Sequence, residues 1–140
     1  MRAMKIIYYT KYLFNAGDQH SVHSPFVFDL LRNCIHQTSK RAKTHTYYEK
    51  LQDYLKPFNI PMAYGCNTTH GNHTSELEKA ATHGYFIPDI HSTKLAHKHW
   101  KSVIKDKNIQ ISIDFWSFGL IFTKKDQEKE HFVLLKNRWR

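Results

Sequence analysis

The stretch "IQISIDFWSFGLIF", residues 109 to 122, decides the fold of this chain. Apolar and polar side chains alternate strictly as far as Phe115, and this period predicts a half-buried β-strand. "FGLIF" predicts a second strand after a very short connection. "HFVLL", residues 131 to 135, predicts a third strand after the charged turn "KKDQEKE". Together these segments predict a small antiparallel meander.

The preceding stretch, "GYFIPDIHSTKLAHKHW" at residues 84 to 100, places polar residues directly after an apolar run. "YFI" predicts a short strand that ends at Pro88, and Ser92 is predicted to cap a helix. The inward face of that helix is predicted to consist of Leu95, Ala96, Trp100, Val103 and Ile104. Many α/β enzymes carry their chemistry at the carboxyl end of a strand. Asp89 and His91 are therefore the candidate catalytic residues, as positioning or acid–base groups.

The first half of the chain predicts helices. Residues 3–15 are compatible with a short one, and Ser24 with Pro25 predicts the capped start of a second one, "PFVFDLLRNCIH". "TYYEKLQDYLKP" predicts a third helix, with Thr46 and Glu49 at capping-box spacing and a stop at Pro57. Residues 57–74 predict a loop, and a short helix, "ELEKAATH", is expected to end at Gly84.

Length and composition limit the class of protein. The 140 residues predict one domain, with a helical part at 1–60 and a strand–helix–meander part at 71–140. Cys34 and Cys66 are too few for a disulfide framework, and no apolar stretch has membrane-spanning length, so a cytoplasmic protein is expected. The net charge of +9 is compatible with weak attraction to nucleic acid.

Motifs near both ends resemble one protein family. "HSVHSPFVFDLL", residues 20–31, is similar to the opening of a group of bacterial class I S-adenosylmethionine-dependent methyltransferases. The end of the same proteins is similar to "GNHT", "FIPDIHS", a helix containing Trp100, "ISIDFWSFGLIF" and "KEHFVLL". The resemblance implies a Rossmann-like α/β sheet that carries S-adenosylmethionine above its strand ends, next to a glycine-rich turn.

This sequence departs from the family in its centre. No two of its glycines have GxG spacing, and about ten residues between Ile60 and Gly71 stand where the family places its cofactor-binding half. Of the family's metal-binding acids, only Asp89 remains, so no metal site is expected. The expected fold is therefore a truncated, α+β remnant, with N-terminal helices packed on a small mixed or antiparallel sheet. The expected function is methyltransferase-like without autonomous activity, and no cofactor-binding residues are identified.

Three alternatives remain open. A sheet that has lost its front strands presents an unpaired edge, predicted at residues 85–87, and this edge favours self-association into a homo-oligomer. A lysine row at residues 94–105 is compatible with a nucleic-acid-binding module. Metal binding is the third alternative, through one of two sets: Cys66, His70 and His73, or Asp89, His91, His97 and His99.

Overall fold

The computed structural model describes residue 9 and residues 24–39, 41–65, 82–124 and 128–136. The predicted helix at 3–15 lies outside these ranges except for Tyr9, and so does most of the helix predicted before Gly84. Three α-helices occur in the described ranges: α1 (Pro25–Leu30), α2 (Thr44–Leu55) and α3 (Lys94–Ile104). Five strands accompany them: β1 (Met62–Tyr64), β2 (Thr82–Pro88), β3 (Ile111–Asp114), β4 (Phe118–Lys124) and β5 (Glu130–Val133).

Helix α1 begins as the sequence predicts. The Ser24 hydroxyl accepts a hydrogen bond from the Val27 N–H at 3.4 Å, and Pro25 occupies the first turn, where its missing N–H leaves no bond unmade. The helix continues as a π-helical turn over Leu31–Ile35. Its buried side is a continuous apolar surface of Val27, Leu30, Leu31, Cys34 and Ile35.

Helix α2 begins earlier than predicted and has no capping box. Lys43 occupies the N-cap without a side-chain hydrogen bond, so Thr46 lies inside the helix. Glu49 instead pairs with His45 one turn earlier, at 3.0 Å. The predicted stop is confirmed, because a 3-10 turn over Lys56–Phe58 follows the helix and contains Pro57.

The five strands form one mixed sheet in the order β1-β2-β4-β3-β5. β1 is parallel to β2, and β5 is parallel to β3, whereas β4 is antiparallel to both of its neighbours. The predicted antiparallel meander is therefore wrong for its last strand. The ammonium group of Lys129 bonds the carbonyls of Asp106 and Ile109, and Glu130 N–H bonds the Gln110 carbonyl. These bonds hold Lys129 and Glu130 beside the segment that precedes β3. β5 therefore pairs with the edge of β3 that β4 does not occupy.

Strand β1 lies inside the segment that was predicted to be loop. Because it pairs with β2, residues 85–87 have neighbours on both sides, and the prediction that they form an unpaired edge is wrong. β2 also begins at Thr82, so Gly84 lies within the strand and does not end a helix. A side chain at Gly84 would come within 2.6 Å of the Phe122 ring on β4. The outer strands of the described sheet are β1 and β5.

Helices cover both faces of this sheet. On one face, which we call the N-terminal helix face, α1 and α2 pack against Phe86, Ile113, Phe118 and Leu120. On the other, the α3 face, Trp100 packs with side chains of β2 and β4. A side chain at Gly119 would come within 2.5 Å of the Trp100 ring, so the close contact between helix and sheet requires glycine there. The described residues form a mixed α/β structure with three layers.

The α3 face corrects three further predictions. All four residues of β3 are buried, because α3 and the turn before it cover the side predicted to face solvent. The helix is capped by Thr93, not Ser92, through a 3.0 Å bond from the Ala96 N–H. Leu95, predicted to face the core, is 77% exposed. None of the helices in the described ranges has the length and apolar character needed to cross a membrane.

Candidate functional site at the strand ends

The carboxyl ends of four strands lie at the same edge of the sheet. β1, β2, β3 and β5 run in one direction, since β4 is antiparallel to both β2 and β3. In open α/β sheets, ligands bind in the crevice outside such strand ends. The segments that follow β2 and β3 contain the predicted residues Asp89 and His91 and the turn from Phe115 to Ser117. We call this edge the strand-end site.

Asp89 shapes the site through its backbone. Its φ of 56° is in the left-handed region, which Asp and Asn adopt more readily than other non-glycine residues. Its N–H donates to the Ser117 carbonyl at 2.9 Å, and its own carbonyl accepts the Ser92 hydroxyl at 2.9 Å. The side chain is exposed, and no hydrogen bond or ion pair joins it to a described residue. Asp89 therefore ties together the two turns of the site but does not contact His91 through its carboxylate.

His91 is the buried centre of a chain of three side chains. Its Nε2 lies 2.6 Å from Oδ2 of Asp114, at the end of β3. Its Nδ1 lies 2.8 Å from Nδ1 of His97, on the first turns of α3. His91 and Asp114 are 7% and 6% exposed, and His97 is half-buried. We call this arrangement the Asp114–His91–His97 chain.

The carboxylate of Asp114 fixes the orientation of the His91 ring. An ionised carboxylate only accepts hydrogen bonds, so Nε2 of His91 carries the proton in the 2.6 Å contact. This leaves Nδ1 of His91 facing His97, with one N–H shared between the two rings. Such a chain can hold a proton and pass it between a buried carboxylate and a half-buried imidazole, which is an acid–base property.

Trp116 covers the His91 ring. The two rings stack with centroids 4.6 Å apart and an interplanar angle of 23°. The Trp116 N–H donates to Oδ1 of Asp114 at 2.8 Å, so that both carboxylate oxygens accept a hydrogen bond. Its φ of 73° is unusual for a bulky residue, and strained backbone of this kind concentrates at functional sites. The ring of Tyr9 meets Trp116 edge-on at 4.9 Å.

A half-buried lysine lies on the opposite side of the same turn. The ammonium group of Lys136 donates to the Ser117 hydroxyl at 2.9 Å and lies 5.6 Å from the centre of the Tyr47 ring. Burial lowers the pKa of Lys136, because the charged form loses hydration there. No described contact links this lysine to His91, so we treat it as a separate feature of the edge.

The structure brings together only part of the predicted metal set. His91 and His97 are in contact, but His99 is exposed and Asp89 is turned away from them. In the described part of the chain, no group of three or more His, Cys, Asp or Glu side chains could hold a metal ion. The other set, which consists of Cys66, His70 and His73, lies outside the described residues.

The lysine row of α3 faces solvent. All four of its members are exposed: Lys94, Lys98, Lys101 and Lys105. The ion pairs between described residues involve histidine and acidic side chains and include none of these lysines. The arrangement is that of a solvated face, which is free to contact phosphate groups.

Sequence reasoning found His91 but missed two of its neighbours. The alternation of "IQISIDF" places Asp114 on the polar side of its strand, which was expected to face solvent, and Trp116 stands only within the motif "ISIDFWSFGLIF". The alternation of β3 contained a signal for Asp114, because Asp114 is the last polar residue of the strand and therefore lies at its carboxyl end. What the pattern could not give is the order of the strands, which places the end of β3 near the turn after β2.

The fold and the strand-end site define a mixed α/β protein with a five-stranded sheet and a buried Asp–His–His chain. No family model matches the sequence, and no curated protein or solved structure is significantly similar to the chain.

Proposed function

We propose that this chain is a shortened, cytoplasmic methyltransferase-like protein that does not transfer methyl groups on its own. The observation that carries the proposal is the position of β1, which is an outer strand of the described sheet. Residues 24–39 and 41–61 contain helices and turns but no strand that could lie beyond β1. In the family that the motifs resemble, the cofactor-binding half lies between the N-terminal helices and the segment that begins here at Gly71, where this chain has about ten residues.

Methyl transfer from S-adenosylmethionine depends mainly on holding the donor sulfur, the methyl carbon and the acceptor in line. A cofactor cradle of the Rossmann type uses a glycine-rich turn between a strand and a helix. The glycines within the described strands serve packing instead, since Gly84 and Gly119 lie against the rings of Phe122 and Trp100. This use of glycine supports the proposal that the chain has a sheet like that of the family but no glycine-rich turn for the cofactor.

The candidate catalytic residues fit the same proposal. His91 uses both ring nitrogens within the protein, one toward Asp114 and one toward His97. Asp89 offers a single exposed carboxylate, and one carboxylate holds Mg²⁺ poorly without further oxygen ligands. Neither residue is therefore arranged to position a methyl acceptor.

Calorimetry with S-adenosylmethionine and with S-adenosylhomocysteine tests this proposal on the full chain. We expect only the heat of dilution for both compounds. The Asp89→Asn variant is the matched control, because asparagine tolerates the left-handed backbone at this position. A saturable isotherm with one site per chain would overturn the proposal. Weakening of that isotherm in the variant would locate the cofactor at the strand ends.

A second candidate function is self-association through β1. Hydrogen bonds show that the backbone of Pro61 and Gly65 faces β2, so Met62 and Tyr64, which alternate with them, direct their N–H and C=O groups outward. Among the described residues, one hydrogen bond reaches these outward groups, a 3.5 Å bond from the Tyr48 hydroxyl to the Met62 carbonyl. An open strand edge of this kind is a template for pairing with a second copy.

An exposed aromatic ring on this edge favours the same association, since Tyr64 is 49% exposed. The net charge of +9 opposes it, so we expect the dimer fraction to rise with salt as repulsion is screened. Light scattering at low and high salt measures this fraction. Tyr64→Lys should abolish the dimer, whereas Leu95→Lys, an equally charged change on α3, should not. A monomer under all conditions would exclude self-association.

Weak nucleic-acid binding through the lysine row of α3 is the remaining alternative, and the exposure of all four lysines supports it. Retention of the protein on an immobilised oligonucleotide tests it. Replacement of Lys94, Lys98 and Lys101 by Gln should then remove salt-sensitive retention, and unchanged retention would exclude this surface.

A further inference from the structure

The contact between His91 and His97 joins two nitrogen atoms of the same kind. The Nδ1 atoms lie 2.8 Å apart, a distance that requires one of them to donate a proton and the other to accept it. We propose that this contact is a pH-sensitive latch, closed while a single N–H lies between the rings and opened when both rings are fully protonated. We call it the histidine latch. It connects the first turns of α3 to the strand-end site.

Counting protons shows which charge state opens the latch. Asp114 holds the Nε2 proton of His91, so in the neutral pair Nδ1 of His91 accepts and Nδ1 of His97 donates. One added proton leaves the pair intact, because one of the two Nδ1 atoms remains an acceptor. A second added proton places N–H groups on both Nδ1 atoms. Two imidazolium rings then face each other without an acceptor, and the contact must break.

Several surrounding groups influence this second protonation. Among the described residues, the elements around the latch carry the ionisable side chains Asp89, Lys94, Lys98, His99, Lys101, Asp114, Glu130 and His131. Asp114 contacts His91 directly and favours the first positive charge. The exposed lysines of α3 oppose a second one, as does the helix dipole, because His97 lies near the N-terminus of α3.

The structure also indicates which part of the chain moves. The His97 N–H bonds the Thr93 carbonyl at 3.0 Å, so His97 belongs to the first hydrogen-bonded turns of α3. Trp100, one turn further on, is almost completely buried against the sheet. We therefore expect opening of the latch to loosen residues 89–97 while the rest of α3 stays anchored. The Asp114–His91 pair would then become accessible from the strand-end site.

Nuclear magnetic resonance of uniformly ¹⁵N-labelled protein tests the latch directly. At pH 7.5 we expect a through-hydrogen-bond coupling between the two Nδ1 atoms, which requires the shared N–H. The second proton enters a pair that is already positively charged, so the coupling should survive the first protonation and be lost only as the pH is lowered further. As the coupling is lost, amide exchange of Ala96 and His97 should accelerate at least about tenfold relative to Val103, after correction for intrinsic exchange rates.

Matched variants separate the latch from general effects of acid. His97→Gln should remove the coupling and the selective acceleration at Ala96, whereas His99→Gln, at an exposed position two residues away, should retain both. Three results would overturn the proposal: no coupling at pH 7.5, a coupling that persists down to the pH at which the protein unfolds, or the same acceleration at Ala96 in His97→Gln. Elemental analysis showing a stoichiometric metal ion that His97→Gln loses would also overturn it, because a metal would then replace the shared proton.

Discussion

The two faces of the sheet are built differently. On the N-terminal helix face, α1 and α2 bury an apolar layer that includes Tyr47, Leu51 and Phe118. On the α3 face, Trp100 and Val103 pack beside buried polar side chains, of which Asp114 and His91 are in contact. The same strands supply both layers, since successive side chains point to opposite faces.

This difference indicates that the N-terminal helix face mainly provides stability, whereas the α3 face contains the candidate functional groups. An apolar layer gains free energy by burying area and tolerates exchanges that conserve its volume. A buried carboxylate and imidazole lose hydration and have to recover it through well-placed hydrogen bonds. Asp114 accepts two such bonds, and one is from the strained Trp116. The α3 face therefore contains the hydrogen-bonded Asp114 and His91 side chains, which the packing of an apolar core does not require.

Removal of the aromatic centre of the α3 face should have the largest effect. Trp100→Ala deletes a side chain that is 1% exposed, and we expect the free energy of unfolding to fall by about 3–5 kcal/mol. Leu95→Ala on the same helix is the control and should cost less than about 0.5 kcal/mol, because Leu95 is 77% exposed. Urea unfolding measures both. Equal losses would show that α3 does not pack as described.

The second effect concerns the polar part of that face. Asp114→Asn replaces one acceptor oxygen by an NH₂ donor, so with His91 in its present tautomer either its Nε2–H or the backbone N–H of Trp116 loses its acceptor. A buried donor left unsatisfied costs about 1–3 kcal/mol. Asp89→Asn, at an exposed carboxylate, should change stability by less than about 0.5 kcal/mol. If Asp114→Asn did not change the free energy of unfolding, the Asp114–His91–His97 chain would contribute nothing to stability. Its acid–base property would then be the remaining explanation for its presence.

The sequence predicted the features that local signals determine. Ser24 with Pro25 predicted the start of α1, and Pro57 predicted the end of α2, because each acts within its own turn of backbone. Alternation from Ile111 predicted a strand. The same local signals failed where two candidates stood side by side, since Ser92 and Thr93 both have cap chemistry and only the backbone decides between them.

The missed features depend on contacts between distant parts of the chain. β1 has three residues in a segment rich in proline and glycine, and its pairing with β2 makes it a strand. The partner of His91 lies 23 residues away on β3, and a pattern of periods contains no information on which strand ends meet. The position of β5 beside β3 depended on bonds from Lys129 that no local signal predicts.

A third effect probes the N-terminal helix face through pH. Burial raises the pKa of the Cys34 thiol from 9.0 to about 12. Above pH 9 the unfolded chain releases this proton and the folded protein keeps it, so stability is present below pH 9 and is lost as the pH rises. At pH 10 the loss should be about 1.4 kcal/mol. The difference from Cys34→Ala between pH 8 and pH 10 isolates this contribution, and parallel pH profiles would show that the thiol is hydrated.

The smallest expected effect concerns the N-cap of α3, the helix that contains His97 of the histidine latch. The Thr93 hydroxyl accepts the Ala96 N–H at 3.0 Å, so Thr93→Ala should cost about 1 kcal/mol through loss of the cap. Ser92→Ala removes an exposed bond to the Asp89 carbonyl and should cost less than about 0.5 kcal/mol. Urea unfolding of the two variants compares them directly. The opposite order would mean that Ser92, and not Thr93, caps α3 and that the helix begins one residue earlier.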